Sequence, residues 1–390
     1  MKILYISNNS SVGGAPAALL NLVRIMCRKH EVAVMMPDAD GPLYKELEAM
    51  GVRCYTSCKY CLSIWPRVLN PIKFLKRIAD LRKNRSAVRA YVGKVLDDFC
   101  PDIVHTNVGP LDIAVYECQK RSIPHVWHLR EYQDLDFGMA YFPGGAREFK
   151  NLIRQEDNHC IAITSGVYSH WGLNSDAKVI YDGVIDEDAI VSQSKAYDDR
   201  QPYFIYAARI EKGKGLKELL KAFKSYRNGG GKYSLKVAGR PCGLYAFMCR
   251  MYVRLHGLSE QVSFLGNRSD VPELMAQAAA AVIPSRFEGF GFTTVEAMYN
   301  HCLVIGKDTA GTKEQFDNGK SLKNREIGFR YTDVRELASL LSKVENMDAE
   351  AAELMRRDAY ETVTALYCIG RYAREVEEYY LSIRRKANGE

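Results

Sequence analysis

The chain has 390 residues, of which 47% are hydrophobic and 26% are charged, and its formal net charge is +7. Apolar content this high, with charges of both signs, excludes a disordered chain, and so small an excess does not by itself indicate nucleic-acid binding. No run of about 18 apolar residues predicts a membrane-spanning helix, and we expect no signal peptide in the polar start MKILYISNN. The length predicts two or three domains.

The first half of the chain alternates short apolar segments with helix-sized ones, which is typical of a parallel sheet covered by helices on both faces. The apolar residues of Ala15–Arg28 recur at helical spacing. Strands are predicted at Lys2–Ser7, Glu31–Met36, Val52–Thr56, Asp102–His105, Pro124–His128, Cys160–Thr164 and Lys178–Tyr181.

The polar stretch 192–202 (SQSKAYDDRQP) predicts a linker, after which the alternation restarts. Further strands are predicted at Tyr203–Ala208, Ser234–Ala238, Val262–Leu265, Ala281–Pro284 and Leu303–Gly306. We therefore predict an α/β chain of two tandem doubly wound Rossmann-like domains, 1–195 and 200–370, with a cleft between them. A last helix at about 371–390 can pack back on the first domain. Ligands of such sheets bind beyond the carboxyl ends of the strands.

Three loops that follow predicted strands carry the chemistry expected of an anion site. Gly13 and Gly14 end the loop NNSSVGG, where backbone N–H groups at a helix start suit an anion; a simple helix-entry turn explains them equally well. Arg209 and Lys214, in RIEKGKG, flank another helix start and suit a diphosphate. An unoccupied basic loop is the alternative.

The third loop, SRFEGFGFTTVE, places Glu288 and Glu296 eight residues apart around Gly289 and Gly291. Exposed backbone N–H groups and two threonine hydroxyls suit phosphates, and carboxylates accept hydrogen bonds from sugar hydroxyls. A competing interpretation takes Thr293-x-x-Glu296 as a capping box, which explains Glu296 but not Glu288 or the glycines.

Two segments outside these three loops, WHLRE and the cysteine cluster, also contain candidate functional residues. In the first domain, WHLRE places His128, Arg130 and Glu131 at a strand end, although a strand-end histidine is more often structural than catalytic. The spacing C-x3-C-x2-C of Cys54, Cys58 and Cys61 is typical of radical SAM iron–sulfur enzymes, a remote alternative. Without a signal peptide, we expect the eleven cysteines to be free thiols in a reducing cytoplasm.

Five motifs in order resemble the retaining family-4 glycosyltransferases of the GT-B fold, of the bacterial polysaccharide or capsule type. They are SSVGGA, VIYDGV (with Asp182 where asparagine is usual), ARIEKGKG, the stretch VSFLGNRSDVPELMAQAAAAVIPSRFEGFGFTTVEAM with its E-x7-E, and HCLVIGKDTAGTKE. The resemblance covers nearly the whole chain.

The resemblance implies a role for each matched residue. Arg209 and Lys214 would neutralise the donor pyrophosphate, Glu296 would bind the ribose, and Glu288 would bind the donor sugar. His128 would lie by the reacting carbon, with Arg130 and Glu131 on the acceptor side. The remaining donor-binding residues would be Gly13, Gly14, Phe290, Gly291, Phe292, Thr293 and Thr294.

The implied reaction transfers a hexosyl or N-acetylhexosaminyl group from a nucleotide sugar, UDP-linked or else GDP-linked, to a saccharide or lipid-linked saccharide, with retained configuration. The resemblance implies neither a metal nor a resident cofactor. We expect a cytoplasmic enzyme, peripheral on the inner face of the membrane if the basic segment 67–94 or the run Leu244–Leu255 contacts lipid. Alternatives are a GT-B epimerase or phosphorylase, a metal-dependent GT-A enzyme using Asp134 and Asp136, and a non-enzymatic nucleotide-binding protein.

Overall fold

The computed structural model divides the chain into two compact units, Met1–Gly183 with Ile369–Glu390, and Val184–Cys368. It describes residues 1–11, 13–66, 71–155, 158–187 and 199–388. The division at Gly183 comes earlier than the predicted boundary at 195–200. Most of the predicted linker lies outside the described residues, and its last two residues, Gln201 and Pro202, belong to a strand.

The first unit contains one seven-stranded parallel sheet in the order β3-β2-β1-β5-β6-β8-β9. Its strands are β1 (Lys2–Ile6), β2 (Glu31–Met35), β3 (Arg53–Tyr55), β5 (Ile103–Thr106), β6 (His125–Leu129), β8 (Asn158–Ala162) and β9 (Lys178–Val179). An antiparallel pair that sequence reasoning missed is formed by β4 (Ile64–Pro66) and β7 (Met139–Tyr141).

Helices cover both faces of this sheet. Ile3 and Tyr5 pack with one set of helices, whereas Leu4 and Ile6 pack with another, because successive side chains of a strand point to opposite faces. The described helices are α1 (Gly14–Met26), α2 (Pro42–Ala49), α3 (Pro71–Phe99), α4 (Val115–Lys120), α5 (Gly145–Ile153), α6 (Ser165–Trp171) and α14 (Ile369–Asn388). The last helix joins the core through Tyr372, Val376 and Tyr380.

The second unit contains a six-stranded parallel sheet in the order β12-β11-β10-β13-β14-β15. Its strands are β10 (Gln201–Ala207), β11 (Ser234–Ala238), β12 (Val262–Gly266), β13 (Ala278–Ile283), β14 (Leu303–Lys307) and β15 (Phe329–Tyr331). The five predicted strands are present, and β15 was missed. Its helices are α7 (Leu216–Asn228), α8 (Gly243–Leu255), α9 (Val271–Gln277), α10 (Phe292–Tyr299), α11 (Ala310–Lys323), α12 (Val334–Glu345) and α13 (Ala349–Leu366).

In both units the strand order reverses beside the first strand, as in doubly wound nucleotide-binding sheets. In the second unit the reversal lies between β10 and β13, so the loops after these two strands are neighbours. Among the described residues, no helix combines the length and the apolar character needed to cross a bilayer.

Candidate active site

The loops after β10 and β13 lie against each other at the point where the strand order reverses. The backbone N–H of Arg286 donates to the carbonyl of Gly213 at 3.0 Å. Gly215 has φ of +71°, and a Cβ at this position would lie 1.9 Å from the carbonyl oxygen of Pro284. Glycine is therefore required both by the left-handed backbone and by the close approach of the two loops.

Lys214 and Glu288, predicted to bind the two halves of a nucleotide sugar, contact each other across these loops. The Lys214 ammonium lies 2.7 and 2.8 Å from the two carboxylate oxygens of Glu288. The two side chains retain 23% and 21% of their accessibility, so a ligand can reach both charges. A bound phosphate would compete with Glu288 for the ammonium, and a sugar hydroxyl could donate to the carboxylate that this releases.

Arg209 is the second cation of this loop. Its guanidinium pairs with Glu211 at 3.0 Å and stays largely exposed. Exposed ion pairs of this kind contribute little to stability. Breaking the pair with Glu211 therefore costs little free energy, so the Arg209 guanidinium can turn toward an anion.

Glu296 does not cap its helix, so the capping-box interpretation is wrong. Helix α10 begins at Phe292, with Gly291 as its N-cap at φ +93° and with no side-chain capping bond. Thr293 is therefore the second helical residue, and Glu296 lies beyond the first turn with an exposed side chain. In the described part of the chain, no side chain pairs with the Glu296 carboxylate, which leaves it open to a ligand.

Residues after β14 hold the Glu288–Gly291 loop in place. The N–H of Gly311 donates to the carbonyl of Glu288 at 3.0 Å. The amide of Gln315 donates to the carbonyls of Phe290 and Gly291 at 2.8 and 3.3 Å. Sequence reasoning assigned no role to Gly311 and Gln315, because their partners are backbone groups of a distant segment.

Three of the predicted donor-binding residues, Phe290, Gly291 and Thr294, are buried. The Thr294 hydroxyl lies 3.2 Å from that of Thr312, and Thr294 is fully buried. The Thr294 hydroxyl thus has a partner within the helix packing, and its contact with a phosphate stays a prediction. The Phe290 ring is buried against Phe292 and Tyr367, whereas Thr293 and Phe292 are half-buried at the helix start.

In the first unit, Gly13 and Gly14 form the start of α1. Gly13 is the N-cap, no side chain caps the helix, and both glycines are exposed. Their neighbour Val12 lies outside the described residues. The helix start is accessible to solvent, and an anion contact of Gly13 and Gly14 stays a prediction.

Arg130, predicted on the acceptor side, is instead the centre of a buried polar network. Its guanidinium donates to Asp182, to the carbonyl and side-chain oxygens of Asn107 at 2.9 and 3.1 Å, and to the Tyr372 hydroxyl at 3.1 Å. The same guanidinium donates to Nδ1 of His128 at 3.2 Å. A side chain with all these partners supports the fold, and the acceptor-side role of Arg130 stays a prediction.

His128, predicted to lie by the reacting carbon, is a buried strand residue in the structure. Strand β6 continues to Leu129, and His128 is fully buried within the strand. Burial, together with Arg130 and His105, holds the pKa of His128 well below its usual value, so the imidazole is neutral. Because Nδ1 accepts from Arg130, the proton lies on Nε2, 4.0 Å from a carboxylate oxygen of Asp182.

Glu131 differs from the fully buried His128 in its partial exposure and from Arg130 in a pKa near neutral pH. Burial, with a further contribution from Asp136, raises the pKa of Glu131 to about 8. One of its carboxylate oxygens is buried without a hydrogen-bond partner. The side chain is only partly enclosed, so Glu131 remains the acceptor-side candidate of this segment.

The alternatives based on Cys54, Cys58 and Cys61, or on Asp134 and Asp136, fail on the structure. A radical SAM enzyme requires a (β/α) barrel, whereas the first sheet is open and Cys54 lies on its edge strand β3. Within the described ranges, no three His, Cys, Asp or Glu side chains form a group able to hold a metal. Asp134 pairs with His170 at 3.0 Å, and Asp136 accepts from the N–H groups of Tyr132 and Phe137.

A cavity of about 470 Å³ in the first unit was not predicted. Apolar side chains such as Val88, Ile113 and Phe142 line it together with Arg85 and Arg89. Arg85 pairs there with Asp112 at 2.7 Å. The cavity combines apolar walls with cations, and its residues come from segments too far apart in sequence to form a motif.

Known proteins resemble this chain both in sequence and in fold. Residues 188–362 match the family Glycosyl transferases group 1. The O-antigen biosynthesis glycosyltransferase WclY of Escherichia coli is 23% identical over 334 residues, 81% of this chain and 83% of that protein. The lipopolysaccharide 1,6-galactosyltransferase of Salmonella typhimurium is 27% identical over 251 residues, 62% of this chain and 66% of that protein.

The structure is similar to that of Anabaena HepE in complex with UDP and glucose. The TM-score is 0.76 at 19% identity, covering 98% of this chain and 100% of that one. This likeness confirms the predicted GT-B fold, and the family match contains the loops of Lys214, Glu288 and Glu296. Residues 188–362 are therefore a glycosyltransferase group 1 domain, within a chain of GT-B fold.

Proposed function

We propose that the enzyme transfers a hexosyl or N-acetylhexosaminyl group from a nucleotide-diphosphate sugar to a hydroxyl of a saccharide or lipid-linked saccharide. A UDP-sugar is the favoured donor and a GDP-sugar the second. Transfer retains the anomeric configuration and needs no metal. The observation that carries this proposal is the paired, ligand-accessible Lys214 and Glu288 beside Arg209 and the open carboxylate of Glu296.

Each donor contact follows from the charges of these side chains. Lys214 and Arg209 would bind the diphosphate and stabilise the negative charge that grows on it as the sugar leaves. Positive side chains here would do what a divalent cation does in metal-dependent transferases, which is why we propose metal independence. Glu296 would accept hydrogen bonds from the ribose hydroxyls, and Glu288 from the donor sugar.

The acceptor side of the proposal depends on the first unit. Glu131, protonated near neutral pH, would be able to donate a hydrogen bond to an acceptor oxygen. The cavity lined by Arg85 and Arg89 suits an anionic acceptor with an apolar portion. Relatives named for O-antigen and lipopolysaccharide synthesis support a lipid-linked saccharide.

Peripheral membrane association through 67–94 is part of the same proposal. The segment contains nine Lys and Arg residues and one acid, Asp80. Residues 67–70, including Arg67, lie outside the described residues, as do several side chains at the start of α3. Of the described cations, Arg85 pairs with Asp112 and Arg89 lies over the Tyr116 ring at 4.5 Å.

Nucleotide binding in the absence of metal tests the donor site. UDP, GDP, ADP, CDP and dTDP are each added with EDTA, and thermal unfolding is followed. At about 100 times its Kd, a ligand of the native state adds about 2.7 kcal/mol, so the true nucleotide raises the midpoint by several degrees. We expect UDP to do so for the native enzyme.

Three variants show where the nucleotide binds. Arg209→Ala and Glu296→Ala should lose the shift, whereas Lys221→Ala, which removes an exposed cation of α7, should keep it. A shift that survives in both site variants, or no shift with any nucleotide in folded protein, would refute the proposed site. Proton NMR of the glycoside product, read at the anomeric position, tests retention.

A further inference from the structure

Helix α8 of the second unit exposes a row of large apolar side chains. Leu244, Phe247 and Leu255 keep 73%, 59% and 74% of their accessible surface, and Met248 is also exposed. Residues at such spacings share one side of an α-helix. The opposite side of α8 is buried in the core through Ala246, Cys249 and Val253. The helix is therefore firmly anchored while its outer side is apolar.

The charged residues within the α8 segment itself have a single sign. From Arg240 to Gly257 the sequence contains three arginines, Arg240, Arg250 and Arg254, and no aspartate or glutamate. All three arginines are exposed. Arg250 lies over the Phe264 ring at 5.3 Å.

We propose that the α8 surface, made of Leu244, Phe247, Met248, Leu255, Arg250 and Arg254, lies in the interface of a bilayer that contains anionic lipids. A helix with one apolar side, flanking arginines and no acids enters the boundary between headgroups and acyl chains, where its cations meet the negative surface. The proposal deepens the proposed function by naming a membrane contact in the donor-binding unit, separate from 67–94.

Charge complementarity selects a lipid surface over a second copy of the chain. A two-fold contact through α8 would bring the same patch of each copy together, so that arginines would face arginines. Like charges brought together in an apolar contact oppose association. An anionic bilayer supplies both the apolar layer and the opposite charge.

Vesicle cosedimentation of the full chain tests the proposal. We expect binding to vesicles of phosphatidylcholine mixed with phosphatidylglycerol, and little binding to phosphatidylcholine alone. The double variant Phe247→Ser/Leu255→Ser should bind at least about tenfold more weakly, because two apolar side chains no longer leave water. Arg250→Gln/Arg254→Gln should also weaken binding and reduce its dependence on salt.

Two controls test whether a loss of vesicle binding arises from the α8 surface itself. Leu322→Ser changes an exposed leucine of α11 in the same unit and should bind vesicles like the native chain. All variants should keep the native thermal midpoint, because every changed side chain is exposed.

Three results would overturn the proposal. They are a native chain that ignores anionic vesicles, α8 variants that bind them like the native chain, and a native dimer that only the α8 variants disrupt while vesicle binding is unchanged. Failure of the proposed donor site is distinguishable, since a missing UDP shift leaves an α8-dependent vesicle interaction intact.

Discussion

The two units share their strand order but use the charged residues that follow their strands in opposite ways. In the first unit, Arg130 and Asp182 are buried and bonded to each other. In the second, Lys214 and Glu288 are also paired but remain partly open to solvent. The same topology therefore supports a buried structural network in one unit and a solvent-accessible charged pair, the proposed ligand site, in the other.

The difference arises from what packs around each pair. In the first unit, α14 supplies Tyr372 to Arg130 and Tyr380 to His105, whose ring nitrogen lies 2.6 Å from the tyrosine hydroxyl. In the second unit, glycines border the pair, and their lack of side chains lets loops approach without covering the charges. Substitutions in the buried pair should therefore reduce stability, whereas substitutions in the open pair should reduce nucleotide binding.

The largest effect is expected from Asp182→Ala in the first unit. Removing the carboxylate leaves the buried Arg130 guanidinium without its counter-charge, which should lower the free energy of unfolding by about 3–5 kcal/mol. Urea denaturation measures the loss. The double variant Arg130→Met/Asp182→Leu should lose clearly less, because no unpaired charge remains. Equal losses in the two variants would show that packing, not charge pairing, holds this region.

In the second unit, Lys214→Ala should affect binding far more than folding. The pair with Glu288 is partly solvated, so its stability contribution is small. A lost charge-assisted hydrogen bond to phosphate costs about 1.5–3 kcal/mol, so the Kd for UDP should rise about tenfold to a hundredfold. Isothermal titration calorimetry measures this, with Lys221→Ala as the matched control. An unchanged Kd would remove Lys214 from the donor site.

Gly215→Ala should disturb the junction of the two loops. Its positive φ and the approach of the Pro284 carbonyl predict a loss of more than about 2 kcal/mol in unfolding free energy. Gly257 has φ of +67° with open space around its Cβ position, so Gly257→Ala isolates the backbone effect, about 1 kcal/mol. Equal losses, measured by thermal unfolding, would contradict a tight loop contact.

A pH-dependent effect on stability is expected from Glu131. Its folded pKa of about 8 exceeds the ordinary glutamate value, so the folded state holds a proton that the unfolded state releases. Stability from this group is therefore full below the unfolded pKa and falls as pH rises through about 8.

Glu131→Gln removes this titration without changing the shape of the side chain. The variant should be more stable than the native chain at pH 8, and the difference should shrink toward pH 5. Thermal midpoints across this range provide the measurement. A variant that is less stable at pH 8 would show that the carboxylate is ionised and bonded.

Much of the second unit could be predicted because its strands, helices and motifs show as patterns in short stretches of sequence. The strands alternate with helices at regular intervals, and Lys214, Glu288 and Glu296 each lie within a short motif. The missed strands β4, β7 and β15 have three residues each, too few to show a periodicity. Glu296 was open to two interpretations until the start of α10 excluded the capping box.

The sequence alone predicts the alternating α/β pattern, the two parallel sheets and the candidate side chains for a nucleotide-sugar site. These properties depend on the order of residues along the chain, which is all that a sequence contains. Only the tertiary structure determines which charged side chains are exposed and which are buried. Arg130 is satisfied by Asn107, Asp182 and Tyr372, residues from segments that no local pattern connects. Solvent access, and with it the difference between a structural and a binding role, is a property of the packed chain.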